Sequence, residues 1–116
     1  MRRHFHKMHG LGNDFVIVDA REEPFDVTPP LAKAIADRRT GVGCDQLIVL
    51  EPSERADLKM RIWNSDGGEV ESCGNATRCV VQLTGATRID SDGGLIEGHS
   101  EGTEIEVSIG EPRFKW

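Results

Sequence analysis

The sequence has no run of apolar residues approaching the roughly 18 needed to cross a bilayer as a helix, so no membrane span is expected. It also lacks a surplus of positive charge: 14 Lys and Arg stand against 20 Asp and Glu, a net charge of −6. General nucleic-acid binding, which needs a basic face, is disfavoured by that balance. Met1-Arg2-Arg3 begins like the basic part of a signal peptide, but His4 to His9 is no apolar continuation of one. The expectation is a cytoplasmic chain whose start leads into a strand. Cysteine is scarce: there are three, an odd number, without Cys-x-x-Cys or any disulfide-like or zinc-like spacing. Reduced thiols are the default for such a chain. His4, His6 and His9 form the one pattern a metal could use, but a plain strand accounts for it, and no metal is expected. Two Gly-x-Gly turns occur, at Gly10-Leu11-Gly12 and Gly41-Val42-Gly43, and neither continues as Gly-x-Gly-x-x-Gly, which sets nucleotide binding aside. Linkers, low-complexity tracts and a second domain are likewise not visible, so residues 1–116 read as a single domain.

What is present suits a soluble globular domain. A chain of 116 residues, 37% hydrophobic and 29% charged, can bury roughly 60–70% of its unfolded surface in one core. Its 13 glycines exceed the average usage of about 7%, and they cluster in turns beside the motifs described below. His4 to His9 and the apolar, β-branched Phe15 to Asp19 predict two strands. Pro24 and Pro29-Pro30 mark a loop, and Pro30 suits a helix start. Leu31, Ala34, Ile35 and Arg38 then keep helical spacing toward Arg39, with Gly41 as the stop. Strands follow at Asp45–Leu50 and Ala56–Trp63, the latter alternating Leu58, Met60 and Ile62 with Lys59, Arg61 and Trp63. A helix from Cys73 to Leu83 is apolar on several sides, as a buried helix should be. Three short strands close the chain at Ala86–Asp90, Gly94–Glu97 and Thr103–Ile109, with Asp92-Gly93-Gly94 as a hairpin turn. The order β-β-α-β-β-α-β-β-β predicts an α+β fold: a mixed, strongly curved sheet wrapped around a central buried helix.

The chemistry-bearing stretch runs from Asn64 to Leu83. A strand end leads through Ser65-Asp66-Gly67-Gly68 to a helix opening on Ser72-Cys73-Gly74-Asn75, with Ser72 as the N-cap. Residues in a first helical turn have backbone N–H groups without intrahelical partners, and the helix dipole favours negative charge there. A thiol at Cys73 would ionise more easily in that position, and the adjacent amides would receive a carboxylate. From position alone an inert, half-buried cysteine is the commoner case. Asn75 on the same grounds is a helix-start hydrogen bonder, and Asn64 a residue whose side chain closes an Asx-turn. Its amide also offers a donor and an acceptor to a zwitterion. Cys44 and Cys79 read as buried small hydrophobes, Trp63 and Trp116 as packing residues, and Arg78 as a cation in need of Glu69 or Asp66.

Asn64-x-Asp66-Gly67-x-Glu69 followed by Cys73-Gly74-Asn75-x-x-Arg78-Cys79 resembles the active-site signature of the diaminopimelate epimerase family. Gly10-Leu11-Gly12-Asn13-Asp14-Phe15, Arg39-Thr40-Gly41-Val42-Gly43-Cys44-Asp45-Gln46 and the closing Ile109-Gly110-Glu111-Pro112-Arg113-Phe114 are similar to further segments of its first domain. The resemblance covers nearly all of this chain but only about the first half of a family member. It implies inversion of an amino-acid α-carbon without pyridoxal phosphate or metal, interconverting LL- and meso-diaminopimelate for lysine and peptidoglycan synthesis. It implies that Cys73 is one of two catalytic thiols, and that Asn13, Gln46, Asn64, Gly74 and Asn75 contact the small-molecule substrate. No cofactor is expected. The family's active site lies between two halves, so the second domain and its partner cysteine are expected outside this chain. The chain alone is expected to be inactive and to self-associate as a homodimer. Ala76 departs from the family, which usually has glycine there. Two other readings stand beside this one: a related cofactor-independent amino-acid racemase, and a catalytically inactive binding or assembly domain.

Overall fold

The fold follows from which strands are apolar on both sides and which on one. The computed structural model describes residues 3–10, 12–71, 74–101 and 104–109, with side chains through residue 97. In chain order the elements are β1 (His6–Gly10), β2 (Asn13–Asp19), α1 (Pro29–Ala36), β3 (Gln46–Glu51), β4 (Leu58–Asn64), β5 (Glu69–Val70), α2 (Gly74–Thr84), β6 (Arg88–Ser91), β7 (Gly94–Glu101) and β8 (Glu104–Ile109). They form one sheet in the order β1-β2-β3-β4-β6-β7-β8, with β5 paired to β4. The β2–β3 and β4–β6 pairs are parallel and the others antiparallel. Parallel neighbours need a crossover; α1 supplies the first and α2 the second.

Strands β2 and β3 carry unbroken apolar runs, Phe15–Val18 and Leu47–Leu50, because each face is covered by a different helix. Phe15, Ile17, Ile48, Leu50, Leu58, Met60 and Ile62 pack with Ala76, Cys79, Val80 and Val81 of α2. Val16, Val18, Leu47, Val49 and Trp63 point the other way, against Ala32 and Ala36 of α1. Helix α2 touches β1 and β2 near one edge of the sheet and β7 and β8 at the other. A sheet whose two ends reach the same helix must curl around it. The α+β class and the curved sheet around a buried helix are therefore as the sequence predicts.

Several details differ from expectation: β4 begins at Leu58 and not Ala56, β6 at Arg88 and not Ala86, and β7 runs on to Glu101. The short strand β5 was not anticipated, since two residues carry no periodicity. Strand β1 begins at His6, so His4 lies before it. Helix α1 starts one residue earlier than expected, behind Thr28, whose hydroxyl accepts from the Leu31 N–H at 3.3 Å, and it stops at Ala36 instead of continuing toward Arg39. Asp37 turns extended (φ −63°, ψ 123°), and its carboxylate accepts from the N–H groups of Arg39 and Thr40 at 2.8 and 3.1 Å. The chain then folds back on the helix end. The N–H groups of Gly41, Gly43 and Cys44 donate to the carbonyls of Asp37, Ile35 and Ala36. A Cβ on Gly41 would lie 2.1 Å from the Ala34 carbonyl oxygen, and Gly43 sits at φ +84°. The Gly-Val-Gly sequence is thus a packing device, and it releases Arg38 from the helix.

Candidate functional site

Side chains alternate along a strand, so residues two apart share a face. Asn13 therefore lies on the same side as Phe15, Gln46 as Ile48, and Asn64 as Ile62, all facing α2. Strands β2 and β3 begin at one end of the sheet, and the antiparallel β4 finishes there. Register confirms the adjacency: Phe15 is opposite Gln46, and Gln46 is opposite Asn64. Helix α2 begins at the same end. Its Asn75 Nδ2 donates to Asn13 Oδ1 at 3.2 Å, and Gln46 Nε2 donates to Asn64 Oδ1 at 3.0 Å. Asn13 with Asn75 and Gln46 with Asn64 thus form two hydrogen-bonded amide pairs on one face. Gly74 opens α2, and a Cβ there would meet nothing within 4 Å. The buried Gln46 Oε1 has no hydrogen-bond partner among the described residues. Leaving such an acceptor unmet costs about 1–3 kcal/mol, an arrangement a ligand donor would relieve.

The reverse face of the same strand ends carries charge instead. Asp14, only 9% exposed, receives Arg38 through two nitrogens at 2.9 and 2.8 Å and the Lys7 ammonium at 2.9 Å. Lys7 also donates to the Gly43 carbonyl. Asp45 and Asp14 exchange bonds: Asp45 N–H donates to Asp14 Oδ1 at 2.9 Å, and Asp14 N–H donates to Asp45 Oδ2 at 3.0 Å. Arg38 reaches Asp45 as well, at 3.2 Å. The Arg38 guanidinium first, then the Lys7 ammonium, hold the Asp14 carboxyl far below the usual carboxylate range against the opposing effect of burial. Arg38 is raised in turn by Asp14. A cavity at this end is lined by His9, Gly12, Asn13, Asp14, Arg38 and Asp45. None of this clasp was anticipated. Its signal in the sequence is that each strand-start amide has an aspartate beside it, Asn13-Asp14 and Asp45-Gln46, which places both carboxylates on one face opposite both amides.

The remaining expectations resolve individually. Cys73 and its expected N-cap Ser72 lie outside the described residues, as does Trp116. Cys44 and Cys79 are buried and not disulfide-bonded, and burial pushes the Cys44 thiol up. Trp63 is a packing residue, 2% exposed. The turn after Asn64 is closed by backbone, not by its side chain: Asn64 O accepts from Gly67 N–H at 2.9 Å. The Asx-type bond belongs to Asp66, whose carboxylate accepts from Gly68 N–H at 2.8 Å. That leaves the Asn64 amide to Gln46. Arg78 is exposed; of its two expected partners, Glu69 is taken by Arg61 through two bonds of 2.9 Å, and Asp66 accepts from Gly68 N–H. Ala76 is fully buried, its methyl part of the α2 core. Among the described residues no three His, Cys, Asp or Glu come together to hold a metal ion, and no helix is long and apolar enough to cross a membrane.

Comparison with known proteins gives consistent matches. Residues 5–115 fit the family profile described as diaminopimelate epimerase. The chain is 61% identical to the diaminopimelate epimerase of Rhizorhabdus wittichii, covering all of this chain and 43% of that protein. The Sphingopyxis alaskensis protein of the same name is 58% identical over all of this chain and 44% of its own length. The chain therefore spans less than half the length of these relatives. Among solved structures, a Bacillus anthracis phenazine biosynthesis protein of the PhzF family superposes with a TM-score of 0.59 at 21% identity, over 90% of this chain and 38% of that one. That likeness concerns the fold.

Proposed function

The chain belongs to the diaminopimelate epimerase family, and from that premise we propose that it is one domain supplying the N-terminal half of an epimerase site. The complete site would interconvert LL- and meso-2,6-diaminopimelate without a cofactor. The observation that supports this most directly is the convergence of Asn13, Gln46, Asn64 and Asn75 on one face at the start of α2. Amide nitrogens there offer donors to a carboxylate, and Gln46 Oε1, without a hydrogen-bond partner among the described residues, offers an acceptor to an ammonium. A zwitterionic amino acid needs both. Cys73 directly precedes α2 in the sequence. In this reading its thiolate removes the α-proton on one face of the carbon. First-turn amides and the side-chain amides stabilise the charge spreading into the carboxylate. Return of a proton on the opposite face needs a second acid, assigned to the region of the relatives that this chain does not span.

The test is to incubate the purified chain with LL-diaminopimelate in deuterated water and follow stereochemistry and α-deuteration. The chain alone should give no inversion. Positioning between two halves can account for roughly 7–11 kcal/mol of a barrier, and each 1.36 kcal/mol is tenfold in rate. Supplying the C-terminal part of the Rhizorhabdus wittichii relative should restore turnover, and Cys73→Ala should remove it. Robust inversion by the chain alone would overturn the half-site reading. The same reading places the protein in the cytoplasm, in keeping with Cys44 and Cys79 outside any disulfide. It also proposes a homodimer, for which Phe5, Leu31 and Val42 are the exposed large apolar side chains among the described residues. Light scattering that finds only monomer at high concentration would remove the dimer.

A further inference from the structure

The β2–β3 ladder begins at the pair Phe15 and Gln46. Asn13 and Asp14 extend past it toward the cavity. On one side Asn13 is held by Gly10 of β1. On the other, the link to Gln46 is carried by Asp14 and Asp45: the two exchanged carboxylate bonds and the Asp45 N–H bond to the Asp14 carbonyl at 3.0 Å. Each aspartate adjoins one amide in sequence and points to the opposite face.

Two carboxylates so close would repel unless a cation joined them. Arg38 does so, with its fork on Asp14 and one nitrogen shared with Asp45. Lys7 reaches Asp14 but is spent partly on the Gly43 carbonyl. A point charge also cannot reproduce a planar fork spanning two carboxylates. Arg38 is 57% exposed along its side chain, and its removal leaves no hole in either apolar core.

We propose that Arg38 is a positioning residue: by clamping Asp14 to Asp45 on the reverse face, it fixes the spacing of Asn13 and Gln46 on the α2 face. Its effect is exerted through those two amides. The consequence for catalysis rests on the reading of those two amides as substrate contacts; the consequence for their geometry does not.

Arg38→Ala and Arg38→Lys in this chain, followed by NMR, separate the two. The side-chain amide signals of Asn13 and Gln46 and the backbone amide of Asp45 should move in Arg38→Ala, while those of the distant β6–β7 hairpin stay in place. Added guanidinium at millimolar concentration should return them. Arg38→Lys should move them in the same direction by less, and it supplies the same readout if the alanine variant does not fold. In the enzyme reconstituted with the relative's C-terminal part, Arg38→Ala should lower kcat roughly 100-fold, the effect expected of a misplacement of about 1 Å, with a smaller change in KM. Unmoved Asn13 and Gln46 signals in Arg38→Ala would overturn the inference. Shifted signals together with no diaminopimelate turnover by the reconstituted wild type would uphold it and overturn the substrate reading instead.

Discussion

Two charged clusters lie on the α1 side of the sheet, and their surroundings differ in one respect that decides their behaviour. At the strand ends, Asp14 and Asp45 face Arg38 and Lys7. Further along, Glu51, Glu69 and Asp92 face, among the described residues, Arg61 and Lys59. Arg61 lies over the Trp63 ring at 4.8 Å and gives its fork to Glu69, while Lys59 sits 3.6 Å from Asp92. In the first cluster the cations match the carboxylates, and Asp14 is driven down. In the second a carboxylate is in excess. Asp92 is pushed up, by burial first and then by the hydrogen bond and charge of Glu69, while Glu69, gripped by Arg61, is pulled down. Balanced charge makes a clamp; an extra anion makes a strained pair that a proton would relieve.

Breaking the balanced cluster should have the larger effect. Asp14→Ala removes the acceptor of two cations and of the Asp45 N–H. It should cost about 2–3 kcal/mol in urea unfolding, between the roughly 3–5 of a buried pair and the less than 1 of a surface pair. An unchanged midpoint would mean the clamp is ornamental. Next comes Arg61→Ala, which loses the stacking on Trp63 and the fork on Glu69. About 1 kcal/mol is expected, with Asp92 rising further because its cationic neighbour is gone; carboxyl titration by NMR checks the second part. The smallest effect is a gain. Asp92→Asn should stabilise the protein at neutral pH by a few tenths of a kcal/mol, discounted because Asp92 is more than a third exposed. Destabilisation there would show that its charge is wanted.

The two clusters should also bend the pH dependence of stability in opposite senses. The native value of Asp14 is depressed, so its contribution is fully present above the unfolded carboxyl value of about 3.9 and is lost as pH falls toward the native value. The native value of Asp92 is raised, so its contribution is present below about 3.9 and is lost as pH rises through the native value. Unfolding curves recorded from pH 3 to 7 should therefore lose part of their acid slope in Asp14→Asn and rise at the neutral end in Asp92→Asn.

Local pattern carried most of the architecture. Phe15–Asp19 and Asp45–Leu50 read as strands from their β-branched, apolar content, and the turn expected at Asp92-Gly93-Gly94 joins β6 to β7, with Gly94 already paired to Ser91. The amide cluster was reachable through motif resemblance, although nothing local says that Asn13 meets Asn75 across 62 positions. The clasp was out of reach for the same reason: Arg38 and Asp14 stand 24 apart, and Asp14 and Asp45 stand 31 apart. Periodicity does not encode such pairings. It misled at α1, where Arg38 keeps helical spacing with Leu31, Ala34 and Ile35 but is captured by a carboxylate on another strand.

The division of the strand ends into an amide face and a charged face has a bearing on how the chain finds its pairing. If β2 and β3 both turned over by one residue, Asp14 and Asp45 would be carried toward the apolar α2 core and Asn13 and Gln46 toward Arg38. Two carboxylates would then be buried without their cations, a far worse state than misplaced amides. The aspartates therefore act as a proofreading mark, making the wrong register the costly one before any ligand is present to tell the difference.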